Sequence, residues 1–141
     1  MKTLKSILAG ITLLFICVAA NAITKPATGK LTRDEVVKIY IDATTSGNVS
    51  SLDNVLADDL EFEIQRGGYV NTSDKNQLMD YVKNNTVANA SVKTTTTVVQ
   101  EDDNFSVIKV EFKYDGYSRT DEVTLKKTFG WVITSVVSKY M

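Results

Sequence analysis

The sequence predicts an α+β domain, a cone-shaped curved antiparallel sheet wrapped around three N-terminal helices. Three observations point there. Apolar residues recur at helical spacing from Val36 to Ala43, then switch to strict alternation at Leu60. Everything after residue 91 is dense in β-branched residues and punctuated by turn signals. Helices come first and strands last, an order that argues against an alternating parallel α/β fold.

Residues 1–22 carry the pattern of an export signal. Lys2 and Lys5 supply positive charge, Ile7 to Ala20 is apolar, and Ala20-Asn21-Ala22 is a small-x-small cleavage site. The apolar stretch is short against the roughly 20 residues that span a bilayer, so no stable membrane insertion is expected once it is removed. The expected location is exported, periplasmic or secreted. Cys17 follows Phe15-Ile16 rather than small residues, which argues against lipid attachment. Residues 23–30, with Pro26 and Gly29, form a flexible leader, and residues 31–141 form a single domain.

Thr32 and Glu35 fit a capping box that opens the first helix, which Gly47 closes. A second, shorter helix is predicted with Ser50 or Ser51 as its cap and Leu52, Val55 and Leu56 on its buried side. Leu60, Phe62 and Ile64 alternate with Glu61, Glu63 and Gln65, which is strand spacing. Gly67-Gly68 marks a turn into a short return strand at Tyr69-Val70. Ser73 is the expected cap of a third helix carrying Leu78, Met79, Tyr81 and Val82, ending at Asn84-Asn85. Four strands follow: Val92–Gln100, Phe105–Tyr114, Tyr117–Phe129 and Trp131–Tyr140. Asp115-Gly116 is the strongest hairpin signal among them.

Missing residue types limit the chemistry. The chain has no histidine, and its one cysteine lies in the export signal. Imidazole bases, disulfides, thiol nucleophiles and most zinc sites are therefore excluded from the exported domain. Without Lys2 and Lys5 the 16 basic residues fall to 14 against 17 acidic ones, a net charge of −3. With no Lys/Arg cluster, nucleic acid is not an expected partner. No phosphate loop, calcium loop or dinucleotide fingerprint occurs, so no cofactor and no metal are expected. Asp58-Asp59, Asp102-Asp103 and Asp121-Glu122 read as turn or solvated positions.

The run Tyr-Ile-Asp-Ala-Thr-Thr-Ser-Gly-Asn-Val from Tyr40, then Leu52, then Leu56-Ala57-Asp58-Asp59, resembles the opening of the nuclear transport factor 2-like superfamily. That group has a cystatin-like fold and includes SnoaL-like cyclases, ketosteroid isomerases and a putative lumazine-binding group. Gly130-Trp131-Val132-Ile133 resembles a common ending of the same superfamily. The resemblance implies a cone with an interior pocket and frequent dimerisation through the outer sheet face, where exposed Val99, Val132 or Val136 would form the contact.

The resemblance also allows a catalytic comparison. In the isomerases a tyrosine seven residues before the helix-ending glycine donates to an oxyanion, and Tyr40 and Gly47 have that spacing. The place of the carboxylate base is taken by Ile64, and a further acid would fall near Leu125. Glu63 should point to the opposite face. The expectation is therefore a binding or association module without catalytic residues. Its ligand pocket would be formed by Tyr40, Phe62, Ile64, Met79, Phe112 and Trp131. Its partners would be a small, largely apolar molecule and a second copy as a homodimer. The competing expectation is a cyclase- or isomerase-type enzyme using Tyr40 and a cavity carboxylate such as Glu63 or Asp80.

Overall fold

The computed structural model describes residues 30–86 and 91–141. The expected export signal and all of the leader except Lys30 lie outside the described residues. Helix α1 runs Arg33–Ser46. One 3₁₀ turn, Asp53–Val55, leads into strand β1, Leu56–Arg66. Strand β2, Tyr69–Ser73, and helix α2, Lys75–Asn85, come next. The chain ends in β3, Lys93–Glu101; β4, Phe105–Lys113; β5, Ser118–Lys127; and β6, Trp131–Tyr140.

Capping fixes the ends of both helices. Thr32 Oγ1 accepts from the Glu35 N–H at 3.2 Å, and Glu35 Oε2 accepts from the Thr32 N–H at 2.7 Å. Gly47 takes the left-handed conformation (φ 76°) and donates to the Ala43 carbonyl at 2.8 Å. At α2 the cap is Asp74, not Ser73: its carboxylate accepts from the Gln77 N–H, and the Gln77 side chain answers. Ser73 is instead the last residue of β2.

Two further expectations are corrected. The second helix is a single 3₁₀ turn, because Leu56 already has extended backbone and pairs with Ile133. The fold thus has two α-helices among the described residues. The sheet is also not wholly antiparallel. Its order is β2-β1-β6-β5-β4-β3, and β1 pairs with β6 in parallel. The meander from β3 to β6 brings the last strand back beside β1, so two strands far apart in sequence run in the same direction.

The six strands form a curved, open sheet with one face under the helices. Tyr40, Val36 and Ala43 of α1 and Leu78 and Val82 of α2 pack on Phe62, Phe112, Val123, Leu125 and Val136. Between the pairs Thr124↔Ser135 and Leu125↔Ile133 the register shifts by one residue of β6. This bulge changes the parity of β6, so Ile133 and Val136 are both fully buried. Val136 is therefore core and cannot join an outer contact surface, while Val99 stays 56 % exposed.

Candidate ligand site

The inner face of the sheet carries two polar rows where simple alternation would leave apolar core. On β5, Arg119, Asp121, Val123 and Leu125 all point inward. The register places Asp121 beside Ser138 of β6, and Ser138 beside Ile64 of β1. One step along the strands, the pairs Phe112↔Arg119, Arg119↔Tyr140, Arg66↔Tyr140 and Arg66↔Tyr69 run across five strands.

Asp121 is the centre of the first row. It is fully buried and both its oxygens are engaged. Oδ2 accepts from the Tyr40 hydroxyl at 2.6 Å and from Arg119 Nη2 at 2.9 Å, and Oδ1 accepts from the Ser138 hydroxyl at 2.6 Å. The Arg119 guanidinium also lies 4.4 Å above the Phe112 ring. Its Nε–H is buried without a hydrogen-bond partner. Burial pulls the Arg119 pKa down, but the Asp121 carboxylate beside it outweighs that and holds it above its ordinary value. Burial, and then the neighbouring Asp121 charge, push the Tyr40 hydroxyl well above the usual tyrosine range.

The expectation that Asp121-Glu122 would be solvated is therefore half wrong. Glu122 is exposed; Asp121 is interior, on the same face as Leu125. An inward carboxylate is tolerated here because a cation and two hydroxyls meet it. Glu63 faces outward, where its carboxylate accepts from Gln65 Nε2, and Asp80 is exposed on α2.

At the open end of the cone is a concavity of about 620 Å³. Its walls are Tyr69, Tyr81, Tyr117, Tyr140, Ile64 and Arg66. Asn71, Asn85 and Met141 complete it. The aromatic walls are held by their neighbours. Tyr117 stacks on Tyr114 with centroids 4.6 Å apart, Tyr81 packs on Phe62 at 5.4 Å, and the Arg66 guanidinium sits 4.4 Å from the Tyr140 centroid. Burial raises the pKa of Tyr81. The Asn85 side-chain amide donates to the Tyr81 carbonyl at 2.9 Å.

Of the six residues expected to line a pocket, Ile64 lines this concavity. Tyr40, Phe62 and Phe112 are fully buried in the core, and Met79 and Trp131 are partly buried against it. Sequence reasoning missed Arg66, Tyr69, Tyr117 and Tyr140. Two signals were available: extending the alternation of Leu60, Phe62 and Ile64 by one step reaches Arg66, and the Gly67-Gly68 turn places Tyr69 opposite it. The Tyr140 position depends on the β6 bulge, which leaves no mark in local sequence.

Among the described residues, no cluster of three potential metal ligands occurs, and no helix is long and apolar enough to cross a membrane.

Comparison with known proteins supports the same fold. Solved structures superpose at low identity. A nuclear transport factor 2-like protein of unknown function from Silicibacter pomeroyi has a TM-score of 0.66 at 18 % identity, covering 75 % of this chain and 90 % of that one. A cystatin-like fold protein from Burkholderia xenovorans has a TM-score of 0.60 at 14 % identity, covering 77 % and 88 %. A putative ketosteroid isomerase from Parabacteroides distasonis has a TM-score of 0.56 at 13 % identity, covering 77 % and 86 %. At such identities these likenesses establish the fold alone. No curated protein matches the chain. The sequence profile of a family described as "Putative lumazine-binding" matches residues 31–139. With that match over nearly the whole domain, the chain belongs to the putative lumazine-binding family, and its fold is that of the nuclear transport factor 2-like structures.

Proposed function

We propose that this chain is an exported binding module that holds a small molecule at the open end of its cone and does no chemistry on it. One contrast carries the reading. The concavity is walled by aromatic side chains, while the interior carboxylate on β5 is sealed away from it. General acid–base catalysis needs a group within hydrogen-bond reach of the ligand and free to exchange a proton. Asp121 has its oxygens occupied by Tyr40, Arg119 and Ser138, and it does not line the concavity. The Tyr40 proton is already committed to Asp121. Among the described residues, the isomerase-type alternative therefore has no available base in the place where a ligand would sit. A lining of several aromatic side chains with a few polar groups is what small-molecule sites use. Export rests on the pattern of residues 1–22.

Thermal shift and native mass spectrometry of the purified protein against a panel of small metabolites test the proposal. At least one compound should raise the melting temperature and stay bound as a one-to-one complex, and Ile64→Trp, which fills the concavity, should abolish both effects. Binding that Ile64→Trp leaves intact, or turnover of a bound compound, would refute it.

A further inference from the structure

We infer that the ligand class of the concavity is a planar aromatic acid, its ring between the tyrosines and its anionic group on Arg66. This rests on the reading of the concavity as a ligand site and narrows it from an apolar molecule to an aromatic anion.

The charge comes from one side chain. Among the described residues Arg66 is the only charged side chain that lines the hollow, and no aspartate or glutamate joins it there. Among the described residues Arg66 makes no ion pair, unlike Arg33 and Arg119. Its guanidinium lies over the Tyr140 ring, 4.4 Å from the centroid. Its N–H groups donate to no side chain or carbonyl among the described residues, which leaves them for a carboxylate or similar group. The register explains the position: Arg66 and Tyr140 are paired residues of β1 and β6, so the ring is a fixed platform for the cation.

The aromatic requirement has an independent source. Tyr69 is 68 % exposed and Tyr117 45 % exposed, and both line the concavity. The Tyr114 stack restrains Tyr117 without covering it. Exposed aromatic faces around one hollow are suited to a flat ring, which gains from offset stacking in addition to area burial. An aliphatic acid would meet the same cation but would lose that stacking.

Calorimetric titration of the purified protein with 2-naphthoate, 2-naphthamide and cyclohexanecarboxylate separates the two claims. 2-Naphthoate should bind roughly fivefold more tightly than the neutral amide, the scale of one exposed ion pair. It should also bind more tightly than the aliphatic acid. Arg66→Gln should remove the preference for naphthoate over naphthamide, so that acid and amide bind this variant alike; Arg66 is exposed, so the variant should fold normally. Equal binding of naphthoate and naphthamide, or an Arg66→Gln variant that keeps the preference, would overturn the anionic assignment while the concavity remained a ligand site. Equal binding of naphthoate and cyclohexanecarboxylate would overturn the aromatic one. Failure of all three probes while another compound still binds in a way that Ile64→Trp abolishes would overturn the inference and leave the site reading standing; failure of the probes and of every panel compound would overturn both.

Discussion

The Tyr40 hydroxyl donates to Asp121 Oδ2 at 2.6 Å, joining the first helix to the fifth strand across 81 residues of sequence. Each group makes the other's burial acceptable. A buried phenol needs an acceptor, and a buried carboxylate needs several donors. Tyr40→Phe removes one donor and leaves Arg119 and Ser138 on the carboxylate. It should destabilise the domain by about 1.5–3 kcal/mol, the range for a hydrogen bond to a charged group. Urea denaturation should show a lower midpoint at unchanged slope; an unchanged midpoint would mean the bond contributes nothing net.

Asp121 and Arg119 form a buried pair, with 0 % and 8 % of their side chains exposed. Breaking such a pair from one side leaves an uncompensated charge and costs about 3–5 kcal/mol. Asp121→Leu should therefore be severely destabilised. The double variant Asp121→Leu with Arg119→Met should recover part of the loss, because no lone charge stays inside. A double-mutant cycle by chemical denaturation measures this, and additive losses would show that the two residues are uncoupled.

Alkaline pH should weaken the fold through Tyr40. Burial, followed by the Asp121 charge, raises its pKa well above 10.0 in the folded state. The unfolded chain loses that proton near pH 10 while the folded chain keeps it, so rising pH favours unfolding. The contribution is complete below about pH 10 and is lost as pH climbs towards the folded value. Stability measured from pH 8 to 11 should fall more steeply for the wild type than for Tyr40→Phe, by up to about 1.4 kcal/mol per pH unit. Parallel curves would contradict the assignment.

Gly47 closes α1 with φ 76°, and a Cβ there would meet Thr86 Cβ at 3.3 Å. Gly47→Ala combines left-handed strain with a contact against the end of α2. A loss of about 1 kcal/mol or more is expected, seen as a lower melting temperature. The double variant with Thr86→Ala should recover the contact component but not the backbone component.

Local chemistry made much of this protein legible. The Thr32–Glu35 box, Gly47, the alternation from Leu60 to Ile64 and the Asp115-Gly116 turn act over a few residues, and the structure contains each of them. The predicted β6, Trp131–Tyr140, coincides with the observed strand. Misreadings came where the deciding partner lay far away. Leu52 to Leu56 has a helical apolar pattern, yet pairing with Ile133 draws Leu56 into the sheet. Asp121 beside Glu122 looks solvated until Tyr40, Arg119 and Ser138 are brought around it.

By itself, then, the sequence determined the α+β class, the order of elements, the lack of histidine and the family. These follow from periodicity, turn chemistry and composition, which act over short range. Tertiary structure alone decided that β1 and β6 run parallel, that a charge pair lies within the core, and that Arg66, Tyr69, Tyr117 and Tyr140 share one hollow. Each of those outcomes depends on register between strands remote in sequence. A one-residue bulge in β6 is enough to turn every later side chain of that strand to the opposite face.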